Sequence, residues 1–138
     1  MTAMAPLRHR LALTLSTAAN ATRAWRVLLA LLIVFVSWLA LTPRPPPEID
    51  FGWDKLNHML AFAALGFSAC LGCAGERRSC LRWSAALLAY GGLIEVLQGF
   101  VPGRACEWGD LLGDALGIAS GAVLASAVLR AAASTRSR

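Results

Sequence analysis

The sequence predicts an all-α, polytopic membrane protein, a compact bundle of four transmembrane helices. Three observations predict it. Of the 138 residues, 57% are hydrophobic and only 15% are charged, too little polar material to wet the surface of so small a soluble domain. The charges gather between four long apolar runs rather than spreading along the chain. Backbone in lipid must also satisfy its own hydrogen bonds, so runs of this length cross as helices. Residues 1–138 read as a single domain, without a linker, a second domain or a repeat period.

The elements follow in order. Residues 1–24 form a basic tail. Its Arg8, His9 and Arg10, a short apolar stretch and Ala19-Asn20-Ala21 resemble a weak signal peptide. Cleavage there would leave Arg77, Arg78 and Arg82 outside, so a cytoplasmic amphipathic tail on anionic lipid is the better reading. Span one covers about 25–41, interrupted by Arg26 and Ser37 and stopped by Thr42-Pro43. It is short, and tilt or a helical extension through Ala12–Ala24 completes it. Span two covers about 56–74 and span three about 81–101, ended by Pro102-Gly103. Span four covers about 111–132. Trp25, Trp38, Trp53, Trp83 and Trp108 all fall near span ends, as an aromatic belt requires.

Charge sets the expected orientation. Arg8, Arg10, Arg23 and Arg26 precede span one; Arg77, Arg78 and Arg82 separate spans two and three; Arg130, Arg136 and Arg138 end the chain. Only Arg44, Lys55 and Arg104 lie on the other side. The positive-inside rule therefore places both termini in the cytoplasm of a cell (inner) membrane, with the 42–55 and 102–110 loops outward. Nucleic-acid binding is not indicated, because these arginines and lipid headgroups account for the net charge of +5.

The polar residues inside the apolar runs then converge. Asp54 and His58 are i and i+4 at the outer end of helix two, Glu95 and Gln98 i and i+3 near the outer end of helix three. Asp110 and Asp114 are i and i+4 at the start of helix four, where acids suit the helix dipole. Arg104, in the short connecting loop, can fold back on any of these carboxylates. Gly113, Gly117, Ser120 and Gly121 continue the acidic stripe, and Gly91 lies one turn below Glu95; such small residues let helices approach closely. Each element also has a plainer reading. Asp54, Lys55 and His58 suit an interfacial cap, Glu95 suits an ion pair with Arg104, and Gln98 suits an interhelical bridge. A carboxylate within a hydrophobic span costs roughly 2.5–3.5 kcal/mol to insert, which argues for a site when several meet at one depth.

Asp54-Lys55-x-x-His58, Glu95-x-x-Gln98, Pro102-Gly103-Arg104 and Asp110-x-x-x-Asp114-x-x-Gly117-x-x-x-Gly121 together resemble the VanZ-like family over about residues 50–125. The resemblance implies a small four-span membrane protein of a family with one member associated with teicoplanin resistance. One departure stands out: the family usually carries Asn where this chain has Asp114. The added negative charge favours a shared proton or a basic or cationic ligand.

Two classes of function remain open. In the first, a membrane-embedded enzyme acts on an envelope lipid or lipid-linked precursor at the outer leaflet. His58 is then the acid/base, Asp54 orients it, and Glu95 is a second carboxylate. Lys55 and Arg104 hold phosphate, and Gln98, Asp110 and Asp114 complete the binding set. In the second, a non-catalytic accessory protein uses the same cluster to bind an envelope component or a glycopeptide. A proton-coupled transporter ranks third. No cofactor and no metal ligand set is assigned, although in the enzyme reading Asp110 and Asp114 would be hard oxygen donors for magnesium or calcium. The partners expected are membrane lipids, with oligomerisation possible through the Gly113, Gly117 and Gly121 stripe. Cys70, Cys73, Cys80 and Cys106 read as small residues of a membrane protein, and no structural disulfide is expected.

Overall fold

The computed structural model describes residues 4–43 and 54–136, with side chains over 19–43 and 55–135. Four helices follow one another: α1 (Met4–Leu41), α2 (Asp54–Gly72), α3 (Arg77–Gln98) and α4 (Trp108–Arg136), with no strand among the described residues. The fold is the all-α bundle read from the sequence. At a rise of about 1.5 Å per residue the 19 residues of α2 extend about 29 Å, close to the hydrocarbon thickness of a bilayer.

α2 is the centre of the bundle. Like α3 it packs against all three other helices, and among the described residues α1 and α4 do not meet each other. The core joins Leu29 and Val36 of α1, Phe62, Leu65 and Ala69 of α2, Leu87 and Ile94 of α3 and Ile118 of α4. The outward faces of the other three helices stay apolar, with Leu31, Val34, Leu93, Leu116 and Val123 exposed. In water such a surface would be a liability; in lipid it matches its solvent. Ala19–Leu41, Arg77–Gln98 and Trp108–Thr135 are long and apolar enough to cross a membrane. α2 is enclosed by its neighbours and begins with Lys55, Asn57 and His58, which lowers its mean hydropathy.

Element ends differ from expectation by a few residues. α1 runs unbroken through Ala19-Asn20-Ala21, the upstream extension that span one needed. α3 starts earlier than expected because Glu76 caps it, accepting from the backbone N–H groups of Arg78 and Ser79 at 3.0 and 2.7 Å. It ends at Gln98, ahead of Pro102-Gly103, because Phe100 and Val101 turn back onto the carbonyls of Leu97 and Gln98. α2 ends at Gly72 in a reversal where the Gly75 N–H reaches the Cys70 carbonyl and the Ala74 N–H that of Leu71, both at 3.0 Å. This places Ala74 in the left-handed region at φ 52°, a position glycine usually fills.

The α2–α4 seam depends on glycine. A Cβ on Gly113 would sit 2.9 Å from the Lys55 carbonyl oxygen, and on Gly117 and Gly121 it would collide with the carbonyl oxygens of Met59 and Ala63. Gly66 returns the arrangement from α2, where a Cβ would lie 2.9 Å from the Ile118 carbonyl. The stripe is thus used within the chain, and the oligomer surface expected there is already covered by α2. One further expectation needs correction: Cys70 and Cys80 form a disulfide, with Cα atoms 4.9 Å apart, while Cys73 and Cys106 are free. Ten residues separate them, and the tight α2–α3 turn folds one helix end back on the other, a proximity that spacing alone does not reveal.

Candidate functional site

At the end of the bundle where α1 and α3 finish and α2 and α4 begin, four ionisable side chains are buried together: His58, Glu95, Asp110 and Asp114. Helix periodicity delivers them. His58 lies one turn into α2, Asp110 in the first turn of α4 with Asp114 one turn later, and Glu95 one turn from the end of α3. Close packing lets them meet. The Gly113–Lys55 approach brings the start of α4 against α2, and a Cβ on Gly91 would collide with Asp114 Oδ2, so this glycine makes room for the carboxylate. Phe62 floors the cluster, its ring parallel to His58 with centroids 6.3 Å apart. Behind it Tyr90 bonds to the Ser37 hydroxyl at 2.7 Å and donates to the Ile33 carbonyl at 3.1 Å, fixing the floor to α1.

The hydrogen bonds divide the carboxylates into an engaged half and an open half. His58 Nδ1 lies 2.9 Å from Asp114 Oδ1, the role expected of Asp54, whose side chain lies outside the described residues. Glu95 Oε2 accepts the backbone N–H of Glu107 at 2.9 Å and so steadies the entry to α4. Three further oxygens, Glu95 Oε1, Asp110 Oδ1 and Asp114 Oδ2, are buried without a hydrogen bond. Their nearest opposite charges stand further off: His58 Nε2 is 3.7 Å from Glu95 Oε1, and Lys55 Nζ 3.4 Å from Asp110 Oδ1. Three such oxygens in one place are unusual, because buried acceptors are nearly always satisfied.

Lys55 and Glu107 close the exposed side, joined at 2.9 Å. The hydrogen bond to Glu107 holds Lys55 above its ordinary value, and the Lys55 ammonium holds Glu107 below its own. Two expected members sit elsewhere. Arg104 donates to the Leu39 carbonyl at 3.1 Å and to that of Thr42 at 3.3 Å, so it closes the end of α1; Glu95 spends Oε2 on the Glu107 backbone instead of pairing with this arginine. Gln98 donates to the Ala40 carbonyl at 3.1 Å, an interhelical bridge to the same end of α1. The last carbonyls of α1 attract these donors because they lack partners inside their own helix. Glu107, Phe62 and Tyr90 were missed in the sequence. Glu107, three residues before Asp110, was the one that charge alone could have signalled.

The matching family model decides the kinship: VanZ/LLP1 matches residues 4–130. This chain belongs to the VanZ/LLP1 family. It is therefore a membrane protein of VanZ type, from a family associated with teicoplanin resistance. No curated protein and no solved structure matches the chain.

Proposed function

We propose that this VanZ-type protein binds, and acts on, an envelope lipid or lipid-linked precursor through the His58–Glu95–Asp110–Asp114 cluster. It would lie in the inner membrane as a multi-pass protein with both termini cytoplasmic and the cluster at the outer leaflet, a reading that the arginine distribution supports. One observation carries the reading: three buried carboxylate oxygens have no hydrogen bond, and one of them, Asp110 Oδ1, stands 3.4 Å from the ammonium of the exposed Lys55–Glu107 pair. A purely structural cluster would use those oxygens. His58 suits the acid/base, held by Asp114, and Glu95 the second carboxylate, since acid/base chemistry needs a group fixed within hydrogen-bond reach of its proton. Lys55 is the contact for a headgroup, while Arg104 and Gln98 serve it by holding the α1 end in place.

The test is purification with native lipids, followed by identification of what is retained by the wild type, Glu95→Gln and His58→Ala. Variants that fold, keep the lipid and stop its turnover would support catalysis. Variants that fold and lose the lipid would point to a recognition pocket. Full envelope or resistance phenotype in cells carrying either variant would remove the cluster from function.

A further inference from the structure

The cluster has an imbalance of charge. Glu95, Asp110 and Asp114 are buried acids, and Lys55 is the one fixed cation within reach among the described residues. Buried charges survive when paired or bound to metal, and an acidic pocket repels the phosphate of a lipid-linked substrate. Arg104 and Gln98 both donate to carbonyls at the end of α1.

The donor geometry points to the missing positive charge. One nitrogen of His58 and one oxygen each of Glu95 and Asp110 lie within 4.8 Å of one another, all three side chains buried. Glu95 Oε1 and Asp110 Oδ1 are among the buried oxygens without a hydrogen bond, the second 3.4 Å from Lys55 Nζ, and both residues are at most 1% exposed. His58 Nε2 and Glu95 Oε1 face each other at 3.7 Å. That is beyond a hydrogen bond but near the spacing of two ligands on one ion, since bonds of about 2.0–2.2 Å set ligand atoms roughly 3.3 Å apart. The other nitrogen of the ring is already committed: with Nδ1–H donating to Asp114 Oδ1 at 2.9 Å, the Nε2 lone pair is the one that faces the carboxylates. A carboxylate behind a histidine is the usual outer partner of a metal-bound imidazole.

We propose that His58, Glu95 and Asp110 hold a single divalent cation, with Asp114 orienting His58 from behind. One imidazole with two carboxylates suits a first-row dication such as zinc or manganese better than calcium, which takes oxygen ligands alone. Three protein ligands would leave a coordination position for a further donor, and Lys55 Nζ stands 3.4 Å from Asp110 Oδ1. The role of that position rests on the lipid reading above: the ion converts an acidic pocket into one that accepts a phosphate oxygen and polarises it.

The experiment uses the full chain in detergent, in a Cys73→Ser/Cys106→Ser background so that no free thiol competes. Protein stripped with chelator is titrated with zinc and with cobalt alone. One ion per chain and a visible ligand-field absorption with cobalt are expected. Glu95→Gln and Asp110→Asn should lose at least about 100-fold in affinity, and Asp114→Asn about 10- to 100-fold, as outer partners do. Zinc absorption spectroscopy on the parent chain should count one imidazole with the remainder oxygen, a result that needs no folded variant. Failure to saturate, sulfur ligands, or unchanged affinity in folded variants would overturn the site. Lipid analysis of the same samples separates the two ideas. Lipid retained and turned over by metal-free protein overturns the ion and leaves the lipid reading standing; a bound ion without any selected lipid does the reverse.

Discussion

The two ends of the bundle treat polar groups in opposite ways. At the α2–α3 turn three groups are closed: the Arg26 side chain donates to the Gly72 carbonyl at 2.8 Å, Glu76 caps α3, and Cys70 is bonded to Cys80. At the other end Glu95, Asp110 and Asp114 each keep an oxygen open although they are better buried. Closed groups hold a structure together. Open ones in a dry setting cost stability, which functional sites characteristically accept. The difference, more than the presence of charge, separates the candidate site from a capped turn.

The largest effects should break this contrast from the open end. Glu95→Gln and Gly91→Ala should abolish lipid retention or the envelope phenotype. The first should leave metal-free protein as stable as before, or more so by about 1–3 kcal/mol, since an unsatisfied buried acceptor carries that cost. Gly91→Ala should act by displacing Asp114 Oδ2. Thermal unfolding beside lipid analysis checks both, and a large loss of stability in Glu95→Gln would make that residue structural. At the closed end Arg26→Ala should do the opposite. It should cost about 1.5–3 kcal/mol through a lost charge-assisted bond while each folded molecule keeps its ligand.

A smaller effect concerns pH. The stabilisation from Glu107 is complete above its ordinary value near 4.5 and lost as pH falls through its lowered folded value. That from Lys55 is complete below 10.5 and lost as pH rises through its raised folded value. From about pH 5 to 10 the pair therefore keeps one charge state. Within that window the pair adds no pH dependence to ligand retention, and Glu107→Gln should leave the shape of the profile unchanged. A shifted profile would move the titrating group to the rim.

The smallest effects refine the closed end and its location. Ala74→Gly should stabilise by roughly 1 kcal/mol, because a left-handed residue with a side chain is strained by that amount. An impermeant maleimide added to intact cells should label exposed Cys106 and spare Cys73. The reverse pattern would invert the proposed orientation. A cytoplasmic α2–α3 turn also places Cys70–Cys80 where thiols are normally kept reduced, so counting thiols in rapidly quenched cells reads the same question independently.

Much of this protein was legible in its residues. Composition and four apolar runs determined the all-helical membrane class, because continuous apolar runs of about 20 residues fit the bilayer as helices, which satisfy their own backbone in lipid. Periodicity determined that His58, Glu95, Asp110 and Asp114 would approach one another, since i, i+3 and i+4 spacing fixes which side chains share a face. Only the tertiary structure decided partners. The match of Asp114 with His58, the withdrawal of Arg104 and Gln98 to the carbonyls of α1, and the junction of Cys70 with Cys80 depend on where separate helices end and how closely they pack. Helical spacing carries orientation about one axis. The open oxygens of Glu95, Asp110 and Asp114 arise between axes, where glycines set distances of a few ångströms.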